Sequence, residues 1–283
     1  MPKRPNSGIG FYGAVGGRVE VAGATMFRNV HKQAAVVPEH EHPQAYFALL
    51  LQGNYREPGR GDEIYFTPFT VAYQPEGTRH RGKVEDCGCD FFTVEIDPEM
   101  LREFRLAKDL TDPGFECDGG RLLWLMLQLF TEYCEQEHCY PLTCESLLFE
   151  LFGCTARSRS LSPAEESSRW RMMREKIHDD FRGSLRVKDL AEVARVHPVH
   201  AARIFRRYSG RTPGEYLQSL RVQAACRMIA EDSTSLCDVA AESGFSDQSH
   251  MNRVFKRLTG TTPGHFHPRL VSNSSLIATG RTV

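Results

Sequence analysis

The chain has no apolar run long enough to cross a bilayer. The run Leu122 to Leu127, for example, ends at Gln128, far short of the roughly 20 residues that a membrane-spanning helix needs. The opening MPKRPNSGIG has charge but no apolar h-region, so no export signal is expected. Nine cysteines form an odd set without disulfide-like spacing, a usage that suits a reducing cytosol. Cys87 and Cys89 lie close together but read as ordinary thiols on or near a strand. There is no Gly-rich phosphate loop and no nucleophile with a convincing base partner. Nothing here argues for an enzyme, a membrane partner or a bound cofactor, and the cytoplasm is the expected compartment.

What is present divides in two. A length of 283 residues suggests about two domains. Residues 1–162 hold 16 Lys+Arg against 23 Asp+Glu, whereas residues 163–270 hold 18 against 13. An acidic front and a basic back point to an anionic partner for the back half alone. Residues 18–97 read as short alternating strands broken by Gly and Pro, as in QAYFALLLQGNYRE, which predicts an antiparallel barrel or sandwich. From Arg121 the period becomes helical, with Leu122, Leu125, Leu129 and Tyr133 on one apolar stripe, then Leu147, Leu148, Leu151 and Phe152 after Pro141. The polar, Ser-rich TARSRSLSPAEESS at 155–168 is read as the linker. The expected organisation is therefore 1–118, a helical region 119–157, a linker 158–168, a basic helical domain 169–270 and a poorly ordered tail 271–283.

The back half writes one pattern twice: HPVHAARIFRRYSGRTPG from His197 and SDQSHMNRVFKRLTGTTPG from Ser246. Phe205 pairs with Phe255, Gly210 with Gly260 and Pro213 with Pro263 at an offset of 50. Two copies are too few for a solenoid. Each reads as a short helix (about 187–194 and 235–242), a tight turn and a longer helix (about 198–208 and 247–258), a helix-turn-helix pattern. Gly244 suits a left-handed helix end and Ser246 is the expected N-cap of the following helix; in the first copy Arg195 occupies the turn and His197 the cap. Ile204, Phe205, Met251, Val254 and Phe255 should face a core, leaving Arg203, Arg206, Arg207, Asn252, Arg253, Lys256 and Arg257 elsewhere. Arg and Asn pair bidentately with guanine and adenine in the major groove, and Lys serves mainly phosphate. A single such helix is as readily a solvated charged face; Arg203 and Arg253 at the same position of both copies favour double-stranded DNA. A candidate helix from Pro213 to Ala230 spans about 27 Å at 1.5 Å per residue, near the roughly 34 Å between successive major grooves on one DNA face.

At these residues the chain resembles the AraC/XylS family of bacterial transcriptional regulators. Positions 168–268 look like its DNA-binding domain, carried most clearly by ESGFSDQSHMNRVFKRLTGTTPGHF. The resemblance implies two helix-turn-helix units joined by a long helix. Carried over by alignment, the base-reading positions are Val199, Ala202 and Arg203, with His200 beside them, in the first unit, and Gln248, Ser249, Asn252 and Arg253 in the second. Val199 and Ala202 can touch only a thymine methyl.

In the front half, PEHEHPQAYFALLLQG would put His40, His42, Gln44 and Tyr46 on one face of a strand, and PEGTRH supplies His80 on a later one. This resembles the cupin barrel, with His40, His42 and Gly53 matching its first motif and Pro75, Gly77 and His80 its second. Tyr46 stands where catalytic cupins carry a glutamate ligand, and no Asp or Glu is seen to replace it. Three readings stand: a polar effector pocket of His40, His42, Tyr46 and His80; a three-histidine metal site of His40, His42 and His80; or structural histidines. The fold class expected is an N-terminal all-β cupin-like barrel with two following helices and a C-terminal all-α domain of two helix-turn-helix units. The function expected is a DNA-binding transcriptional regulator that responds to a small polar metabolite. The alternatives are a metal-dependent cupin enzyme or metal sensor fused to a DNA-binding module, and a constitutive DNA-binding protein whose barrel only dimerises. The resemblance further implies a homodimer, with RNA polymerase a candidate partner.

Overall fold

A computed structural model describes residues 11–58, 63–103, 115–118, 120–135, 141–160, 168–231, 235–268 and 270. The chain separates into two compact units, one drawn from Met1–Ala156 and Phe266–Val283, the other Arg157–His265. The expected tail at 271–283 lies outside the described residues. No described helix is long and apolar enough to cross a membrane.

The first unit is an eight-stranded antiparallel sheet. Its strands are β1 (Ala14–Val21), β2 (Ala24–His31), β3 (Ala35–Glu41), β4 (Tyr46–Pro58), β5 (Glu63–Phe66), β6 (Thr70–Gln74), β7 (Arg79–Ile96) and β8 (Phe115–Asp118). They run in the order β1-β2-β7-β4-β6-β8, with β3 also on β7 and β5 also on β4. The long strand β7 pairs with β2 through its C-terminal half (Ala24↔Ile96 to His31↔Cys89) and with β3 through its N-terminal half (Ala35↔Val84 to Glu41↔Arg79). Where β4 crosses β7 the register shifts on both sides of Gly53. Gly53 has φ +81°, and a Cβ there would press on the Gly88 carbonyl and come 2.8 Å from Cys89 Cα. That is the physical reason for glycine at this position of the motif.

Not all the strands alternate as expected. Tyr46 to Leu51 are all buried, as are all five residues of β6, because both faces of the sheet are covered there. Part of that cover is α2 (Gly120–Cys134), which packs on β6 and β8. This helix has no single apolar stripe: all six residues from Leu122 to Leu127 are buried, as in a helix enclosed on every side. It is followed by α3 (Pro141–Ser160), which leaves Leu142 79% and Phe149 36% exposed. That helix runs into the stretch read as linker; residues 161–167 lie outside the described residues. A short α1 (Pro98–Glu103) closes β7. Arg28 and Asp90, both buried, form an ion pair within the sheet, with Nε 3.1 Å from Oδ1.

The second unit consists of α4 (Ser168–Asp180), α5 (Val187–Val193), α6 (Pro198–Ser209), α7 (Pro213–Ala230), α8 (Leu236–Glu242) and α9 (Gln248–Thr259). Trp170, Met173 and Ile177 of α4 pack with Leu190, Ala191, Ala201, Ile204 and Phe205 into one core. Of these, the Met, Ile, Leu and Phe side chains contribute roughly 1.5–3 kcal/mol each on full burial. The helix ends follow local chemistry. His197 Nδ1 accepts from Val199 N at 3.4 Å and Pro198 starts α6. Thr212 and Glu215 form a reciprocal capping box at the start of α7. Gly210 (φ +68°) and Gly260 (φ +83°) end α6 and α9 in the left-handed conformation. The cap of α9 is a correction: Asp247, not Ser246, is the N-cap, accepting from His250 N at 2.7 Å. Ser246 instead supports it, 3.0 Å from Asp247 Oδ2 and 3.2 Å from His250 Nδ1.

Candidate effector pocket and nucleic-acid interface

The repeated helices α6 and α9 each bury one face and expose the other. Ala201, Ile204 and Phe205 are buried in α6, as are Met251, Val254 and Phe255 in α9. Spacing of three and four residues then sends the remaining positions outward. Val199, His200, Arg203 and Arg206 are exposed and Ala202 half-buried; in α9, Ser249, Arg253 and Lys256 are exposed, with Gln248 and Asn252 half-buried. All the DNA-reading candidates therefore lie on two matching polar faces, one per repeat. Arg257 is engaged by Gln218 of α7, 2.5 Å away, which sets it apart from Arg253. Arg195, in the turn of the first repeat, has φ +51°, and Gly244, its counterpart, has φ +87°, so both turns use one backbone shape.

In the first unit, His40, His42, Tyr46 and His80 come together, but not from one strand. His40 lies on β3, paired with His80 of β7; His42 sits just beyond the end of β3, and Tyr46 begins β4. The turn between the strands breaks the period-two pattern expected over 40–46, and Gln44 does not line the cavity formed there. His42 Nε2 and His80 Nε2 are 2.8 Å apart, and Tyr46 Oη is 3.4 Å from His80 Nε2. The His40 ring centroid lies 4.7 Å from that of His42 and 4.3 Å from that of His80. One ring nitrogen from each histidine falls within 4.8 Å of the other two.

A carboxylate that sequence reasoning missed completes the cluster. Glu57, 8% exposed near the end of β4, places Oε1 2.8 Å from His80 Nδ1. It stands eleven residues beyond the position where a glutamate ligand was sought. The pairing of β4 with β7, the strand that carries His80, brings it beside that ring. The readable signal was a glutamate late in a long strand, too common to single out. The Nδ1–H of His80 donates to this carboxylate and that of His40 to the Pro38 carbonyl at 2.8 Å. Each bond orients its ring and puts a proton on Nδ1.

The electrostatics follow burial. Burial, then the neighbouring His80 and His40, holds the His42 imidazole at a pKa of about 2, so it is neutral. Burial lowers His40 as well, against the opposing effect of the Pro38 carbonyl. Burial, followed by Glu57 and Glu95, raises the Tyr46 phenol well above its usual range, so it keeps its proton. The cluster thus presents the neutral His42 ring, the imidazoles of His40 and His80, a phenol and the Glu57 carboxyl group at a cavity of about 60 Å³ whose walls include Phe11, Val37, Phe66 and Phe91. Drug-sized ligands fill roughly 300–1,000 Å³, so this cavity suits a small occupant. Three side-chain atoms of its lining, Asn29 Oδ1, His42 Nδ1 and Thr93 Oγ1, are buried without a hydrogen-bond partner. Leaving such an atom unpaired costs about 1–3 kcal/mol.

A sheet domain enclosing a partly polar cavity and a helical unit with twin helix-turn-helix faces define a DNA-binding regulator with a ligand-binding domain. Residues 26–152 match the AraC-like ligand binding domain and residues 190–269 match the helix-turn-helix domain. The chain is 32% identical over 225 residues to the HTH-type transcriptional regulator YbfI of Bacillus subtilis (strain 168), covering 76% of this chain and 81% of that one. A second regulator of that organism, YobQ, is 24% identical over 217 residues, 74% of this chain and 80% of the relative. Among solved structures, ToxT from Vibrio cholerae O395 aligns with 88% of this chain and 97% of its own, at 10% identity and a TM-score of 0.38. The chain belongs to the AraC family of helix-turn-helix transcriptional regulators.

Proposed function

We propose that this regulator binds a small polar metabolite in the cavity bounded by His40, His42, Tyr46 and His80, and that the occupied state changes how the second unit engages its operator. The observation that supports this most directly is the set of partnerless polar atoms on Asn29, His42 and Thr93 around one small cavity. Buried polar groups are ordinarily paired, and a ligand with matching donors and acceptors would pair these. On the DNA side, Arg203 and Arg253 read base edges, Asn252 and Gln248 assist in the second groove, and Arg206 and Lys256 hold phosphates. Val199, His200, Ala202 and Ser249 line the same two faces. Helix α7, with 18 residues, spans about 27 Å at 1.5 Å per residue and spaces the two faces for adjacent major grooves. The working form in this reading is a cytoplasmic homodimer that uses the helices within 119–157, and RNA polymerase is a further partner.

Tyr46→Phe tests the pocket. It keeps the ring and removes the hydroxyl that lies 3.4 Å from His80, so effector affinity should fall by about 1–3 kcal/mol while effector-free DNA affinity stays the same. Metabolites that raise the melting temperature of the purified chain supply the ligand, and a reporter promoter supplies the response. An unchanged response in Tyr46→Phe, and in alanine variants of all three histidines, would show that these residues are only structural.

A further inference from the structure

Helix α7 is tied to both repeats. Its Tyr216 Oη lies 2.9 Å from His178 Nε2 of α4, and its Gln218 Oε1 accepts from Arg257 Nη2 of α9. A further tie ends on a turn. Arg221 of α7, half-buried, donates from Nε to the Phe181 carbonyl and from Nη2 to the Gly183 carbonyl, each at 2.7 Å. A planar guanidinium suits that task, since its fork of donors can bridge two acceptors at once, and the end of a helix is where a cation is favoured. The two carbonyls flank Arg182, in the turn that follows α4. Gly244, in the turn of the second repeat, sits on the backbone of that same residue: a Cβ at position 244 would lie 2.7 Å from the Cα and from the carbonyl oxygen of Arg182. The second repeat is therefore held in two places, along α7 and on Arg182. One attachment leaves a body free to rock about it; a second removes that freedom.

We infer that Arg221 is the positioning residue that sets the separation of the two DNA-reading faces, and with it the operator spacing this regulator accepts. By gripping the carbonyls on either side of Arg182, it holds that backbone where Gly244 lands. The turn moves with the first repeat, because α4 shares its core with α6. Fixing Gly244 on the turn thus fixes α9 relative to α6. A rigid pair of faces matches base sets at one separation. Adding or removing one base pair displaces the second set by about 3.4 Å along the duplex and by about 35° around it, which breaks the geometry of a bidentate base contact. This role rests on the reading of α6 and α9 as faces for adjacent grooves.

The test uses the full chain, an operator that it selects from random DNA, and the same operator with one base pair inserted or deleted between its two halves. The parent should bind the shifted operators about 10- to 100-fold more weakly, as expected for the loss of one or more good base contacts. In Arg221→Met, which keeps the apolar stem and removes both hydrogen bonds, that ratio should shrink toward unity, chiefly because the shifted operators are bound better. Arg221→Lys keeps the charge but cannot bridge both carbonyls; its ratio should lie between the two, and its binding to scrambled DNA should match the parent's. Far-UV circular dichroism and melting temperature report folding in each variant. A merely structural role would weaken all three operators alike and leave the ratio at its parental value. That result would overturn the inference, in Arg221→Met or, should that variant unfold, in Arg221→Lys, and would leave the two-groove reading standing. A parent indifferent to spacing would overturn it as well and remove the two-groove reading with it.

Discussion

Replacing Gly244 with alanine probes the geometry of the second helix-turn-helix. The residue has φ +87°, and an added Cβ would lie 2.7 Å from both Cα and the carbonyl oxygen of Arg182. These are backbone atoms and cannot rotate away as a side chain would. The left-handed conformation costs a residue with a Cβ roughly 1–2 kcal/mol, and overpacking of this kind adds about 1–3 kcal/mol. The expected loss is thus about 2–5 kcal/mol, read at α8 and α9. The first repeat provides the control. Arg195 already has φ +51° and is exposed, so Arg195→Gly should stabilise by about 0.5–1 kcal/mol, the relief of strain less the extra entropy that glycine loses on folding. Hydrogen exchange of peptides across 235–260 in the full chain reads the local free energy. Exchange should quicken by about 30- to 4,000-fold in Gly244→Ala, at 1.4 kcal/mol per tenfold, and slow across 187–209 in Arg195→Gly. Unchanged protection in Gly244→Ala would refute the argument, since neither the strain nor the overlap would then exist.

Arg253→Ala should weaken binding to a selected operator by about 1–3 kcal/mol and relax base preference under one groove, whereas Lys256→Ala should weaken all sequences alike and reduce the salt slope. Equal losses on operator and scrambled DNA for Arg253→Ala would remove its base-reading role. A fragment of residues 163–283 should fold and bind DNA on its own; an unfolded far-UV spectrum would count against the boundary. The chelator-treated chain should lose stability in its first unit as pH falls below the ordinary histidine value of 6.5. His42 titrates only near 2 in the folded state, so the unfolded chain takes up that proton first, with a slope of up to about 1.4 kcal/mol per pH unit. A melting temperature for that unit that is flat from pH 7 to 5 would contradict the buried, neutral His42.

The helix-turn-helix repeats could be read from sequence because their determinants are local. Pro198 and Pro213 at helix starts, Gly210 and Gly260 at helix ends, and the i, i+3, i+4 spacing of Met251, Val254 and Phe255 act over one or two turns, and the offset repeat states each of them twice. Even there the cap of α9 is Asp247, whose carboxylate accepts from His250 N, and not its neighbour Ser246. The front half behaves differently. That His40, His42, Tyr46 and His80 belong together was legible from motif spacing, but Glu57 was not: it joins them because β4 pairs with β7, the strand that carries His80. The same is true of the partnerless atoms of Asn29 and Thr93, on β2 and β7, and of the complete burial of Leu122 to Leu127, where sequence suggested a stripe. Local chemistry alone determined the DNA-binding unit. The pocket's carboxylate, its neutral buried His42 imidazole and its unpaired polar atoms were decided by strand register and burial, which bring together residues as far apart in sequence as Asn29 and Thr93.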